Sequence, residues 1–181
     1  MAPTKDIEKI AAHLYCLSIL EEEVGKTYQS YADRVQKLTL KPLLLYIAQD
    51  SLKHAKILHS LSSCLSKAPI SMDECPKIVG KAWENVVSFA KNESKKQAKL
   101  TDEELYSQIN EMISLENTMG EEYLATLHLK LLQLQIDESQ LDSAIAKKLL
   151  EYIVEDESRH KELLDKIAEA TLKKDTKNSN C

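Results

Sequence analysis

The chain has 181 residues, 43% of them hydrophobic, and a formal net charge of -5. That is long enough for one domain with a real core, and the mild acidity argues against a nucleic-acid binder, which usually leaves a clustered basic footprint. With only three glycines, four prolines and one phenylalanine amid abundant Leu, Lys, Glu and Ala, the composition favours an all-α fold over short strands joined by tight turns. Its apolar runs are short and broken by charge, and the opening Met-Ala-Pro-Thr-Lys-Asp has no signal-peptide core. A soluble cytosolic protein with no membrane or nucleic-acid partner is expected.

The first predicted helix covers 4–37, with Leu14, Leu17, Glu21, Val24, Tyr28, Tyr31 and Val35 at alternating spacings of three and four. This is the seam of a bundle helix with a carboxylate in it. A second helix over 41–65 opens at Pro42 and turns Leu44, Ile47, Ser51, His54, Leu58 and Leu61 inward. A loop around Pro69 leads to a shorter helix over 76–95, which carries Trp83, Val86, Val87 and Ala90 and reads as a crossover. Thr101-Asp-Glu-Glu104 has the form of a capping box. It opens a helix over 101–135 whose seam of Leu105, Ile109, Met112, Glu116, Met119, Tyr123 and Leu127 again holds one glutamate. Asp137-Glu-Ser139 supplies N-cap residues for a last helix over 139–172, with Ala146, Leu150, Ile153, Glu157, His160, Leu164 and Ile167 on its seam. The polar tail 173–181 is expected to be disordered, leaving one domain over 1–172.

An internal repeat links these elements. Leu44-Leu-Tyr-Ile-Ala-Gln-Asp-Ser-Leu-Lys-His54 and Leu150-Glu-Tyr-Ile-Val-Glu-Asp-Glu-Ser-Arg-His160 are near copies offset by 106 positions, and Glu21 precedes Tyr28 as Glu116 precedes Tyr123, by seven. Two copies of one helical hairpin, stacked about an approximate two-fold, make a four-helix bundle whose middle layer holds Glu21, His54, Glu116, Glu157 and His160. In Glu157-x-x-His160 the carboxylate and imidazole share a helix face and can serve one metal ion. In the first copy the carboxylate position is Ser51.

Five ionisable seam positions at one depth are costly unless paired or coordinated, so metal binding is the simplest compensation. The competing reading is a hydrogen-bonded network of Glu, His and Tyr left from a site without metal. The four cysteines, Cys16, Cys64, Cys75 and Cys181, show no Cys-x-x-Cys spacing and cannot build a zinc ribbon or a rubredoxin-type iron centre. Cys64 and Cys75 flank the Pro69 loop and are the pair expected to meet if a disulfide forms. His13, His59 and His128 fall off the seams and are expected at the surface, while Trp83 packs the crossover.

Together the two hairpins, the Glu21/Tyr28 and Glu116/Tyr123 pairs, His54 and Glu157-x-x-His160 resemble the ferritin-like diiron superfamily, rubrerythrin-type proteins in particular, over roughly residues 5–170. The resemblance implies that Glu21 and His54 bind a first metal, that Glu116 and His160 bind a second, and that Glu157 bridges them. It also implies iron, or manganese or zinc, as one or two ions, oxidation of Fe(II) by O2 or peroxide, and a homodimer as a common assembly. Three departures stand out. A second bridging glutamate should occupy Ser51, the extra glutamate of rubrerythrins on the third helix is replaced by seam neighbours Ile113 and Met119, and no rubredoxin module can be formed. Asp50, a turn of about 100° from the bridging position, is expected at the surface or just outside the ligands. The alternative function is a catalytically inactive bundle acting as a structural, metal-buffering or partner-binding module.

Overall fold

The computed structural model describes residues 5–114 and 143–172 of the chain. These form α1 (Lys5–Arg34), α2 (Lys41–Leu65), a 3-10 turn (Met72–Glu74), α3 (Cys75–Ile78), α4 (Lys81–Glu93), α5 (102–114) and α6 (Ser143–Leu172). The fold is all-α, and among the described residues the only β-type pairing is an isolated bridge between Val35 and Leu100. No described helix is long and apolar enough to cross a membrane.

α1 and α2 form the first hairpin. Pro42 stands in the first turn of α2, where its missing N–H costs nothing. Close approach of the two helices depends on Gly25, since a Cβ there would stand 2.9 Å from Leu52 Cγ and 3.1 Å from the Ala48 carbonyl oxygen. Gly25 is one turn from Glu21, so it sets the helix separation at the polar layer.

The crossover between hairpins divides at Gly80, whose φ of 119° ends α3 and redirects the chain into α4. It is fastened along α1. Thr27 donates to the Ala90 carbonyl at 3.2 Å, Ser30 to that of Glu93 at 3.4 Å, and Arg34 Nε to that of Ala98 at 2.8 Å. Gln36 reaches the Leu100 carbonyl at 3.1 Å. Carbonyls near the end of α4, which a helix cannot fully satisfy itself, thus meet donors from α1. α5 then starts with a closed capping box, Thr101 N–H donating to Glu104 at 2.8 Å and Glu104 N–H to the Thr101 hydroxyl at 3.2 Å.

Cys64 and Cys75, the pair the sequence would allow to meet, are not bonded to each other. Cys75 is bonded to Cys16 across a Cα separation of 5.4 Å, and Cys64 is exposed and free. The reason is facial: Cys16 lies on the buried side of α1 beneath the crossover, whereas Cys64 is on the solvent side of the last turn of α2. Trp83, 3% exposed, donates its indole N–H to the Cys16 carbonyl at 2.8 Å, so one residue of α1 holds the crossover twice.

Among the described residues, two apolar clusters make up the core. One gathers Leu14, Leu17 and Leu20 with Leu58, Leu61, Trp83, Leu150 and Ile153; the other gathers Tyr28 and Tyr31 with Leu44, Ile47, Leu105, Ile109 and Leu164. On α1, α2 and α6 alike, the gap between the clusters falls where the polar seam residues stand.

Candidate metal centre

That gap holds Glu21 from α1, Ser51 and His54 from α2, and Asp156, Glu157 and His160 from α6. His54 and His160 are fully buried, Glu157 and Asp156 are 7% and 6% exposed, and Ser51 is 2% exposed. Seam periodicity delivers all of these but Asp156 here, because the seam residues that flank the layer on each helix pack into one cluster or the other. Glu116, Met119, Tyr123, Leu127 and His128 lie outside the described residues, as does the 173–181 tail.

Glu157 sits between the two imidazoles. Its Oε1 is 3.0 Å from His54 Nδ1, and its Oε2 is 3.7 Å from His160 Nδ1. Glu21 Oε2 approaches the same His54 nitrogen at 3.9 Å. One donor atom from each of Glu21, His54 and Glu157 lies within 4.8 Å of the others, close enough to surround one cation. The rings of His54 and His160 stack 5.8 Å apart at 29°.

The outer nitrogens are held by exchange between helices. Asp156 of α6 contacts His54 Nε2 of α2 at 3.0 Å, and Asp50 of α2 contacts His160 Nε2 of α6 at 3.4 Å. Each aspartate precedes the bridging position of its own repeat, and the turn of about 100° carries it to the neighbouring helix. Lys53 joins the two carboxylates, at 2.7 Å from Asp50 and 2.9 Å from Asp156, and Arg159 also pairs with Asp156. An imidazole whose Nε2–H is donated outward presents the Nδ1 lone pair inward, the usual arrangement of a metal-ligating histidine.

His54 Nδ1 and Glu157 Oε1 are both buried and, although 3.0 Å apart, make no aligned hydrogen bond. Two buried electron-rich atoms facing each other require a positive charge between or beside them. A proton on the imidazole or a metal cation supplies it, so the nitrogen and oxygen donors present fit a divalent transition metal. Burial alone would raise the Glu157 carboxyl, but the His160 and His54 imidazoles outweigh it and hold its pKa to about 2. Burial likewise pushes Asp50 upward, and Lys53 followed by His160 more than reverses this, leaving its pKa lowered.

Thus Glu21, His54, Glu157 and His160 are brought into one layer. Sequence reasoning left Asp50 between two roles and missed Asp156 and Lys53. The signal was present, since Asp50 and Asp156 recur at the repeat offset of 106. His59 is exposed and His13 half-buried rather than at the surface. Tyr28 is fully buried and meets Tyr31 edge to face, with ring centroids 6.4 Å apart.

An all-α bundle with two apolar clusters and a carboxylate–imidazole layer between them defines the ferritin-like class. The rubrerythrin family model matches residues 18–168, and the chain belongs to that family. No curated protein and no solved structure matches the chain.

Proposed function

We propose that this is a ferritin-like metal-binding protein with an asymmetric, degenerate diiron-type centre that oxidises Fe(II) with O2 or peroxide. The observation that carries the reading is the buried pair His54 Nδ1 and Glu157 Oε1, 3.0 Å apart without an aligned hydrogen bond and with Glu21 beside them. Glu21, His54 and Glu157 would hold a first ion. His160 would hold a second with Glu116, and Glu157 would be shared between them. Bound iron supplies electron exchange with the oxidant. The chain's own residues do the rest: Asp156 and Asp50 fix the imidazoles, Lys53 and Arg159 offset the outer carboxylates, and the flanking apolar clusters limit water.

Ser51 favours a second reading, a bundle that has kept the fold without redox chemistry, because a serine hydroxyl is a poor replacement for a bridging carboxylate. Elemental analysis of protein purified without chelator or metal-affinity resin, followed by aerobic Fe(II) addition monitored optically, separates the two. One or two retained ions with oxidation on mixing supports the centre. No metal retained and none taken up from iron, manganese or zinc refutes it. Glu157→Ala should abolish binding at both positions, and stoichiometric metal in that variant would rule out the proposed ligand set.

A further inference from the structure

We propose that the Cys16–Cys75 cystine is a redox latch on the polar layer: reduced, it releases the first part of the crossover and loosens the helices that present Glu21, His54 and Glu157. The inference deepens the metal-centre reading and rests on it for the effect on metal affinity, though not for the conformational effect.

From Ser66 to Gly80 only Cys75 and Val79 are buried, and the 3-10 turn buries nothing. The cystine and the packing of Ile78 and Val79 on the same cluster are therefore what tie this segment to the bundle, the cystine being its covalent tie. Beyond Gly80 the crossover has independent fastenings in Trp83, Thr27, Ser30 and Arg34, so release is confined to its beginning. Cys16 and Cys75 are each fully buried in the cluster that contains Leu17 and Leu20, just before Glu21; Leu58, one turn after His54; and Ile153, one turn before Glu157. All three helices carrying the candidate ligands thus rest on the packing that the cystine closes. The closed loop, with a sequence separation of 59, also encloses Glu21, Ser51 and His54.

Chemically, once local opening of the exposed segment before Gly80 uncovers the buried cystine, a small dithiol attacks one of its sulfurs to give a mixed disulfide and one protein thiolate. Its second thiol displaces the other cysteine. Two electrons and two protons pass to the protein, giving Cys16-SH and Cys75-SH, and the reductant leaves as its own disulfide. Oxidising conditions run the exchange backwards and close the latch, tightening a centre that itself consumes oxidant. Linkage requires the converse: metal that binds the closed form more tightly protects the cystine from reduction by the same factor.

Dithiothreitol redox buffers provide the test, with Mn(II) as the probe because it competes poorly for thiolates. Cysteine state is read by alkylation and mass spectrometry, and backbone opening by hydrogen exchange. Reduction should speed exchange at 66–80 and around Glu21, His54 and Glu157, and should weaken Mn(II) binding by about fivefold or more, the lower end of ordinary coupling. Mn(II) should shift the reduction midpoint to more reducing buffers by the matching factor. Cys16→Val/Cys75→Ala should reproduce the reduced state, and because reduced wild-type protein is measured directly, a variant that misfolds does not decide the matter. Unchanged exchange in the polar layer on reduction overturns the latch. Faster exchange with no uptake of Mn(II), Fe(II) or Zn(II) in either state upholds the latch and refutes the metal centre instead. Mn(II) binding of equal strength in both states, with equal midpoints, overturns the coupling.

Discussion

Replacing Gly25 by alanine sets two effects of opposite sign against each other. In an exposed helix the change would gain about 1 kcal/mol from backbone entropy. Here the new methyl would stand 2.9 Å from Leu52 Cγ and 3.1 Å from the Ala48 carbonyl oxygen. Leu52 is half-buried and can turn aside at roughly 0.5–1.5 kcal/mol. The Ala48 carbonyl is backbone of α2 and yields only if the helices part, which raises the cost towards the upper end of the 1–3 kcal/mol typical of overpacking. The loss wins, leaving a net destabilisation of about 1–2 kcal/mol. For a chain of this size that lowers Tm by roughly 2–8 °C. Because Glu21 is one turn away, metal affinity should fall as well. Calorimetry with Mn(II) titration of Gly25→Ala measures both. A variant that melts higher, with affinity intact, would show that α1 and α2 are not in the close contact described.

Ser51→Glu should restore a second bridging carboxylate and raise metal content towards two ions per chain by elemental analysis; content unchanged from the parent would count against Ser51 as the missing bridge. Asp156→Asn should weaken Mn(II) binding about 10- to 100-fold by releasing His54 from its inward orientation, and an unchanged titration would show that the aspartate does not orient the ring. The Glu157 pKa, held to about 2 in the folded chain, lies below the unfolded value of about 4.3. Its contribution to metal-free stability is therefore complete above roughly pH 5 and lost as pH falls towards 2. Glu157→Gln should flatten that acid slope in denaturant titrations, and an identical slope in parent and variant would refute the assignment.

The helical class and the depth of the polar layer were legible because both follow from local rules. Spacings of three and four around Glu21, His54 and Glu157 state which face is buried, and the repeat states that the faces belong to one layer. The cystine was not legible, because which cysteines meet depends on where the crossover lies against α1, and nothing local to Cys16 records that. Asp156 was visible only as a repeated letter. Its role depends on the packing of α2 against α6, which turns an off-seam carboxylate towards the neighbour's imidazole. Lys53 looked like ordinary solvated charge for the same reason, and it joins Asp50 to Asp156 only once the two helices are side by side.

The exchange of aspartates has a consequence for assembly. Each hairpin carries the carboxylate that orients the other hairpin's imidazole, so neither half holds a finished coordination environment. A nascent chain with only the first hairpin folded presents His54 without Asp156 or Glu157, and has little to offer a passing cation. On the proposed metal-binding reading, maturation of the centre would be contingent on the halves having met in the right register, and metal capture would be a checkpoint on completed folding.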